Sequence, residues 1–140
     1  LVALVDRLQA QFAGAPLDPG EVALRAHEIV EDAVQRTLTG ADDAGSHTSL
    51  ATADAELSGA EAALAPLHDI LASRYDRLAE TQQALADAHR VVEAQRGADG
   101  TWTPLDAVAR PARERIDAAL DRAVELLAPV AAICDPRREP

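Results

Sequence analysis

The chain has 140 residues and a formal net charge of −11, and all 13 of its basic residues are arginine. This length allows one domain with a single core, and such an acidic surface repels phosphate backbones, so we expect no nucleic-acid partner. Hydrophobic residues make up 48% of the chain, which excludes a wholly disordered protein. Because aromatic residues make up only 2% and much of the apolar share is alanine, the composition favours close-packed helices over a sheet.

The first third of the chain predicts two helices. Apolar residues recur at helical spacing in residues 1–13, which is typical of an amphipathic helix. Further on, Asp18 followed by Pro19 indicates a helix start, because the carboxylate accepts from a free backbone amide and proline fits the first turn. We expect this second helix to reach about residue 39 and to stop at Gly40, which readily takes the left-handed conformation.

The remaining two thirds predict three more helices. The third begins near Ser49, and Pro66 kinks or ends it. A capping signal at Ser73 opens the fourth helix, which closes at Gly97, and the last helix begins near Pro111. We therefore predict an all-α fold: an up-and-down bundle of about four long helices, forming one domain over residues 1–140, with residues 136–140 as a frayed tail.

The second predicted helix carries the first candidate site. Glu28 and Glu31 are three residues apart and so share a helix face. Their oxygens suit a hard or borderline cation, and the imidazole of His27 beside them would favour a transition metal such as iron. Two ligands from one helix do not complete a metal site, so others must come from elsewhere. The alternative interpretation is a solvated helix face in an acidic chain.

The loop between the second and third helices is the second candidate site. Its side chains can offer oxygen and imidazole ligands, although the same residue types are ordinary in turns. A helix rises about 1.5 Å per residue, so Glu31 lies more than two turns from this loop. Convergence of the two groups therefore requires the loop to fold back or a partner domain to bridge them. The loop residues considered are Asp42, Asp43, Ser46, His47 and Ser49.

No catalytic centre is recognisable in the sequence. The Gly-x-Ser-x-Gly elbow, a phosphate-binding glycine loop, the His-Glu-x-x-His motif and a cysteine pair for zinc are all absent. We therefore do not expect an enzyme. Four further residues receive no functional role, and of these Trp102 is expected to fill an end of the bundle. The others are His68, Tyr75 and His89.

Residues 26–64, AHEIVEDAVQRTLTGADDAGSHTSLATADAELSGAEAAL, resemble the second half of the imelysin-like domain in the EfeO/EfeM iron-uptake lipoprotein family. In that family a Glu-x-x-Glu helix leads through a Gly-acidic-acidic loop to a Ser-His-Thr-Asp-Leu-type motif and the next long helix. The likeness is most specific over residues 28–50 and continues more loosely through TWTPLDAV and ELLAPV. It covers about four fifths of the chain.

The resemblance implies an iron-binding component outside the cytoplasm that presents iron to a membrane permease, with a peroxidase as a further partner. It also implies a membrane tether in a preceding part and a fold of two bundle-like halves, with the metal site at their junction. The N-terminal half would then be a partner of this chain. The metal ligands carried over for iron, or for other divalent cations, are Glu28, Glu31, Asp43, Ser46 and, more weakly, His47.

Two departures from the family pattern bear on the metal site. The family's Gly-x-His-x-x-Glu motif is absent from this chain, and Ser49 stands where the family usually has aspartate. The alternative function is a non-catalytic helical interaction or scaffold module with a degenerate metal site. A metallopeptidase is the least favoured hypothesis.

Overall fold

The computed structural model describes residues 2–12, 15–41 and 43–137, and its regular elements are helices. Short 3-10 turns lie at Thr37–Thr39, Ala65–Leu67 and Leu105–Ala107. The prediction of an all-α bundle is confirmed. The α-helices are α1 (Val2–Phe12), α2 (Pro19–Gln35), α3 (Ser49–Leu64), α4 (His68–Arg74), α5 (Leu78–Glu93), α6 (Arg110–Leu127) and α7 (Val130–Cys134).

Four long helices form the bundle, and each packs against two others in the ring α2, α3, α5, α6. Neighbouring helices run in opposite directions. His89 near the end of α5 meets Asp54 near the start of α3, and Arg122 late in α6 pairs with Glu80 at the start of α5. This arrangement matches the predicted up-and-down topology.

Alanine supplies many of the buried side chains of α2 and α3, which pack against each other. A side chain of one carbon lets two helix axes approach more closely than leucine allows. Larger side chains from the other helices, such as Leu120, Leu126 and Leu127, complete the core. The residues of these two helices with no exposed surface are Ala23, Ala26, Val30 and Ala33 on α2, with Ala53, Leu57 and Ala60 on α3.

Both ends of the second helix follow from local chemistry. At its start, the carboxylate Oδ1 of Asp18 accepts a 2.8 Å hydrogen bond from the backbone N–H of Gly20, as predicted. The α-helix ends at Gln35, four residues before the expected end, and a 3-10 turn over Thr37–Thr39 continues it. Gly40 then takes a φ of 75°, which confirms the predicted left-handed stop.

Pro66 separates α3 from α4 through a 3-10 turn, as the sequence predicted. The predicted opening of the next long helix at Ser73 is wrong. The hydroxyl of Ser73 donates to the carbonyl of Ile70 within α4, and α5 begins only at Leu78. Serine favours helix caps, but its hydroxyl also bonds to the carbonyl three residues earlier, and that alternative occurs here.

Trp102 packs against the core from the loop between α5 and α6, consistent with its predicted position. A single antiparallel bridge joins it to Arg96. The guanidinium of Arg96 also lies 5.4 Å from the centre of the indole ring, which is cation–π distance. The backbone N–H of Gly97 donates to the carbonyl of Thr101 at 2.7 Å and closes the turn.

Several apolar side chains of the first helix are exposed among those that the structure describes. The predicted helix is present as Val2–Phe12, but Leu4 is 52% exposed and Val5 is 45% exposed. In the connection that follows, Leu17 is 77% exposed. The amphipathic pattern therefore predicted the helix correctly. It did not predict that Leu4 and Val5 would be exposed.

The other end of the chain is partly ordered by an ion pair. The guanidinium of Arg137 contacts both carboxylate oxygens of Asp135, at 2.9 and 3.0 Å. The predicted frayed tail, residues 136–140, is described only as far as residue 137. Residues 138–140 lie outside the described residues.

Candidate functional site

Glu28 and Glu31 lie on a partly exposed face of α2, and each side chain is 42% exposed. The carboxylate of Glu28 pairs with the guanidinium of Arg25. Glu31 accepts a 2.7 Å hydrogen bond from the amide of Gln35, and its other oxygen lies 3.9 Å from Nδ1 of His27. Both carboxylates therefore have partners on their own helix while remaining open to solvent.

Glu28 borders a surface cleft of about 310 Å³ between α2 and α3. Asp32 from the same helix and Glu56 from α3 also line it, so three acidic residues border one cleft. One oxygen of Glu56 accepts a 2.9 Å hydrogen bond from the hydroxyl of Thr37. Sequence reasoning missed Glu56, because its approach to α2 depends on how the two helices are aligned.

Asp43 organises the loop between α2 and α3. Its Oδ1 accepts from the backbone N–H of His47 at 2.9 Å, and its Oδ2 accepts from the hydroxyl of buried Ser49 at 3.1 Å. The hydrogen bond from the backbone N–H of His47 is the main cause that lowers the pKa of Asp43 below its ordinary value. Burial raises this pKa, and the hydrogen bond from Ser49 lowers it further. Ser46 and Thr48 share a hydrogen bond of 2.8 Å between their hydroxyls.

The backbone of this loop contains two strained residues. Ala44 has a φ of 49° and His47 a φ of 59°, both in the left-handed region that side-chain-bearing residues rarely occupy. Such conformations persist when surrounding contacts fix them, and the bonds made by Asp43 provide those contacts. The predicted loop residue Asp42 lies outside the described residues.

The five predicted metal ligands do not form one ligand set in this chain. Glu28 borders the cleft on α2, whereas Asp43 and His47 line a separate cavity of about 220 Å³. Across residues 2–12, 15–41 and 43–137, no three His, Cys, Asp or Glu side chains are grouped so that they could hold a metal ion. Iron binding by Glu28, Glu31, Asp43, Ser46 and His47 stays a prediction.

His89 forms a polar cluster that sequence reasoning missed. Its Nδ1 lies 3.2 Å from Oδ1 of Asp54, and its Nε2 lies 3.4 Å from Oε2 of Glu61. The buried Nε2 makes no hydrogen bond. The two carboxylates face opposite sides of the ring, so the imidazole lies between them. Asp54 and Glu61 are seven residues apart on α3, a spacing that places both on one face of the helix. This spacing was the feature of the sequence from which the cluster could have been predicted.

The lowered pKa of Asp43 predicts a loop that loosens in acid. A carboxyl whose folded-state pKa is depressed stabilises the fold above its unfolded pKa, about 3.9 for aspartate, and this stabilisation is lost as the pH falls through the folded pKa. We expect the amide proton of His47, followed by NMR below pH 5, to shift with a midpoint under about 3.9. The shift should vanish in Asp43→Asn. A midpoint at or above the ordinary value would contradict the hydrogen-bonding role.

Two observations complete the description of the chain. In the part that the structure describes, no helix combines the length and the hydropathy needed to cross a bilayer. Comparison with protein families, with curated proteins and with solved structures finds no match to this chain.

Proposed function

We propose that this chain is a non-catalytic iron-binding module of an uptake system outside the cytoplasm. In this proposal iron is cargo, received with a partner peroxidase and passed to a membrane permease. The localisation and the partners rest on the resemblance of residues 26–64. The observation that carries the binding role is the pair of partly exposed carboxylates, Glu28 and Glu31, one helical turn apart on α2.

The surroundings of Glu28 are richer in acidic than in basic side chains. Asp32 and Glu56 line the cleft with Glu28. Two guanidiniums oppose these three carboxylates, that of Arg25 at Glu28 and that of Arg36 at 3.7 Å from Asp32. A net charge of −11 also raises the local concentration of cations through the summed field. Oxygen ligands of this kind bind hard and borderline cations.

An incomplete ligand set suits a carrier whose cargo must leave again. Glu28 and Glu31 can each exchange a helix neighbour for a metal ion without unfolding α2, because their present partners, Arg25 and Gln35, are surface side chains. Further ligands would come from the second bundle half that the resemblance implies. Binding by this chain alone is then expected to be weak.

Calorimetric titration of Fe²⁺ under argon into the wild-type chain and into the double variant Glu28→Gln/Glu31→Gln tests the proposal. Glutamine keeps the size and removes the charge, so we expect the affinity to fall by about tenfold, which corresponds to about 1.4 kcal/mol of binding free energy. The matched control is Glu114→Gln/Asp117→Asn, a carboxylate pair at the same spacing on the exposed face of α6. The control should bind as the wild type does.

Equal affinity in the wild type and the Glu28/Glu31 variant would remove these two residues from the site. Equal losses in the test and control variants would show a general charge effect instead of a defined site. Circular dichroism of each variant separates loss of binding from loss of helix.

A second candidate function is a helical interaction module without a metal role. The specific observation in its favour is the uncovered apolar surface at Leu4, Val5 and Leu17, because exposed apolar patches commonly mark protein contacts. This candidate predicts no difference in Fe²⁺ binding between the wild type and either charge variant. The titration above therefore discriminates the two functions.

A further inference from the structure

A cavity of about 450 Å³ lies between α3, α4 and α5, away from the acidic face of α2. This volume falls within the range of small-molecule sites, about 300–1,000 Å³. The 3-10 turn at Ala65–Leu67, which contains Pro66, joins α3 to α4 beside this cavity. The apolar lining residues are Leu64, Ala65, Leu71, Leu78, Leu85 and Val130.

The hydroxyl groups of the inner wall have no free donor among the described residues. Tyr75 lines the cavity, but its hydroxyl donates to the carbonyl of Leu126 at 2.7 Å. The hydroxyl of Thr81 donates to the carbonyl of Arg77 at 3.0 Å. A ligand inside would therefore meet mainly apolar surface, which favours an aliphatic or aromatic group.

The remaining polar residues of the cavity lie at its exposed rim. Glu61, His68 and Gln82 are solvent-exposed and line the opening. Among the described lining residues, Glu61 is the one carboxylate, and no arginine is present. The cavity thus combines an apolar interior with an acidic entrance.

The negative charge at this entrance is not fully neutralised by the neighbouring histidine of α5. His89 on α5 lies between Glu61 and Asp54 on α3, at 3.4 and 3.2 Å. Even a protonated imidazole would offset only one of the two carboxylates. One negative charge therefore remains beside the cavity and can attract a cationic group.

We propose that this cavity binds a small organic cation: an aromatic or aliphatic amine with its apolar group inside and its ammonium at Glu61. An ammonium has three donors and can form charge-assisted hydrogen bonds with the carboxylate. An organic acid of the same size would place like charges together at the entrance. A neutral alcohol would keep the apolar contact and lose the charge pairing.

Three matched probes test the proposal by NMR titration of the ¹⁵N-labelled full chain: 2-phenylethylamine, 2-phenylethanol and 3-phenylpropanoate. We expect the amine to bind about tenfold more tightly than the alcohol, the scale of one hydrogen bond to a charged group. The acid should bind most weakly. Shifts should concentrate at the amides of residues 61–85.

Glu61→Gln should reduce amine affinity to that of the alcohol and leave alcohol affinity unchanged. The matched control is Asp69→Asn, which removes one carboxylate charge at an exposed position on α4 that follows the rim residue His68 but does not line the cavity. This control should bind all three probes as the wild type does. Ala65→Phe adds bulk at an exposed position on the rim and should weaken all three probes while circular dichroism stays unchanged.

Three results would overturn the proposal. Equal affinities for the amine and the alcohol would remove the charge selectivity, and equal effects of the Glu61 and Asp69 variants would remove Glu61 from the site. Shifts that lie outside the cavity, or that persist in Ala65→Phe, would show that the probes bind elsewhere.

Discussion

Replacing Leu120 with alanine is expected to lower the free energy of unfolding by about 2–5 kcal/mol, the usual cost of removing a buried leucine side chain. Leu120 on α6 has no exposed surface and lies in the middle of the bundle. Many of the other buried side chains are alanines, which have no alternative rotamers that could fill the space. We therefore expect the upper half of that range.

Urea denaturation followed by circular dichroism at 222 nm measures this effect. The matched control is Leu17→Ala, which makes the same chemical change at a side chain that is 77% exposed. A surface substitution of this kind is expected to change the free energy by less than about 0.5 kcal/mol. Similar values for the two variants would mean that α6 does not pack as described.

The parts of the fold that could be predicted are those set by local chemistry. The start of α2 at Asp18 and Pro19 needs only the side chain and the backbone next to it. The stop at Gly40 needs only a residue that tolerates a positive φ, and α6 likewise begins beside Pro111. Periodicity then supplied the helices between these points.

The start of α5 could not be predicted, because two local structures competed for one serine. The capping signal at Ser73 was chemically reasonable, but its hydroxyl bonds back to Ile70 within α4. The outcome is decided by Leu71 and Tyr75, which are buried against the bundle and extend the chain past Ser73 before α5 begins. Tertiary packing therefore overrode a local preference.

The candidate sites show the same division between local and long-range information. Glu28 and Glu31 share a face of α2 because helix geometry dictates it. Glu56 and His89 acquire their neighbours only when α3 packs against α2 and α5. A single sequence gives the faces of each helix but not the alignment of one helix along another, so the cleft and the polar cluster were not predictable.

A larger side chain where α2 packs closely against α3 is also expected to have a large effect on the free energy of unfolding. Ala26 on α2 is fully buried, as are the alanines at 53 and 60 on α3, the helix against which α2 packs most extensively. Leucine at position 26 would add three carbons where the packing leaves no room, so the helices must separate or the side chain must leave its preferred rotamer. We expect Ala26→Leu to lower the free energy of unfolding by about 1–3 kcal/mol.

The control for this substitution is Ala86→Leu, at an exposed position within α5. Leucine and alanine have similar helix propensities, so this variant should change stability by less than about 0.5 kcal/mol. Equal stability of the Ala26 and Ala86 variants would show that the α2/α3 contact has space to spare. The cleft that places Glu56 beside Glu28 depends on that same contact. Ala26→Leu should therefore also weaken any Fe²⁺ binding at the cleft, even though position 26 does not line it.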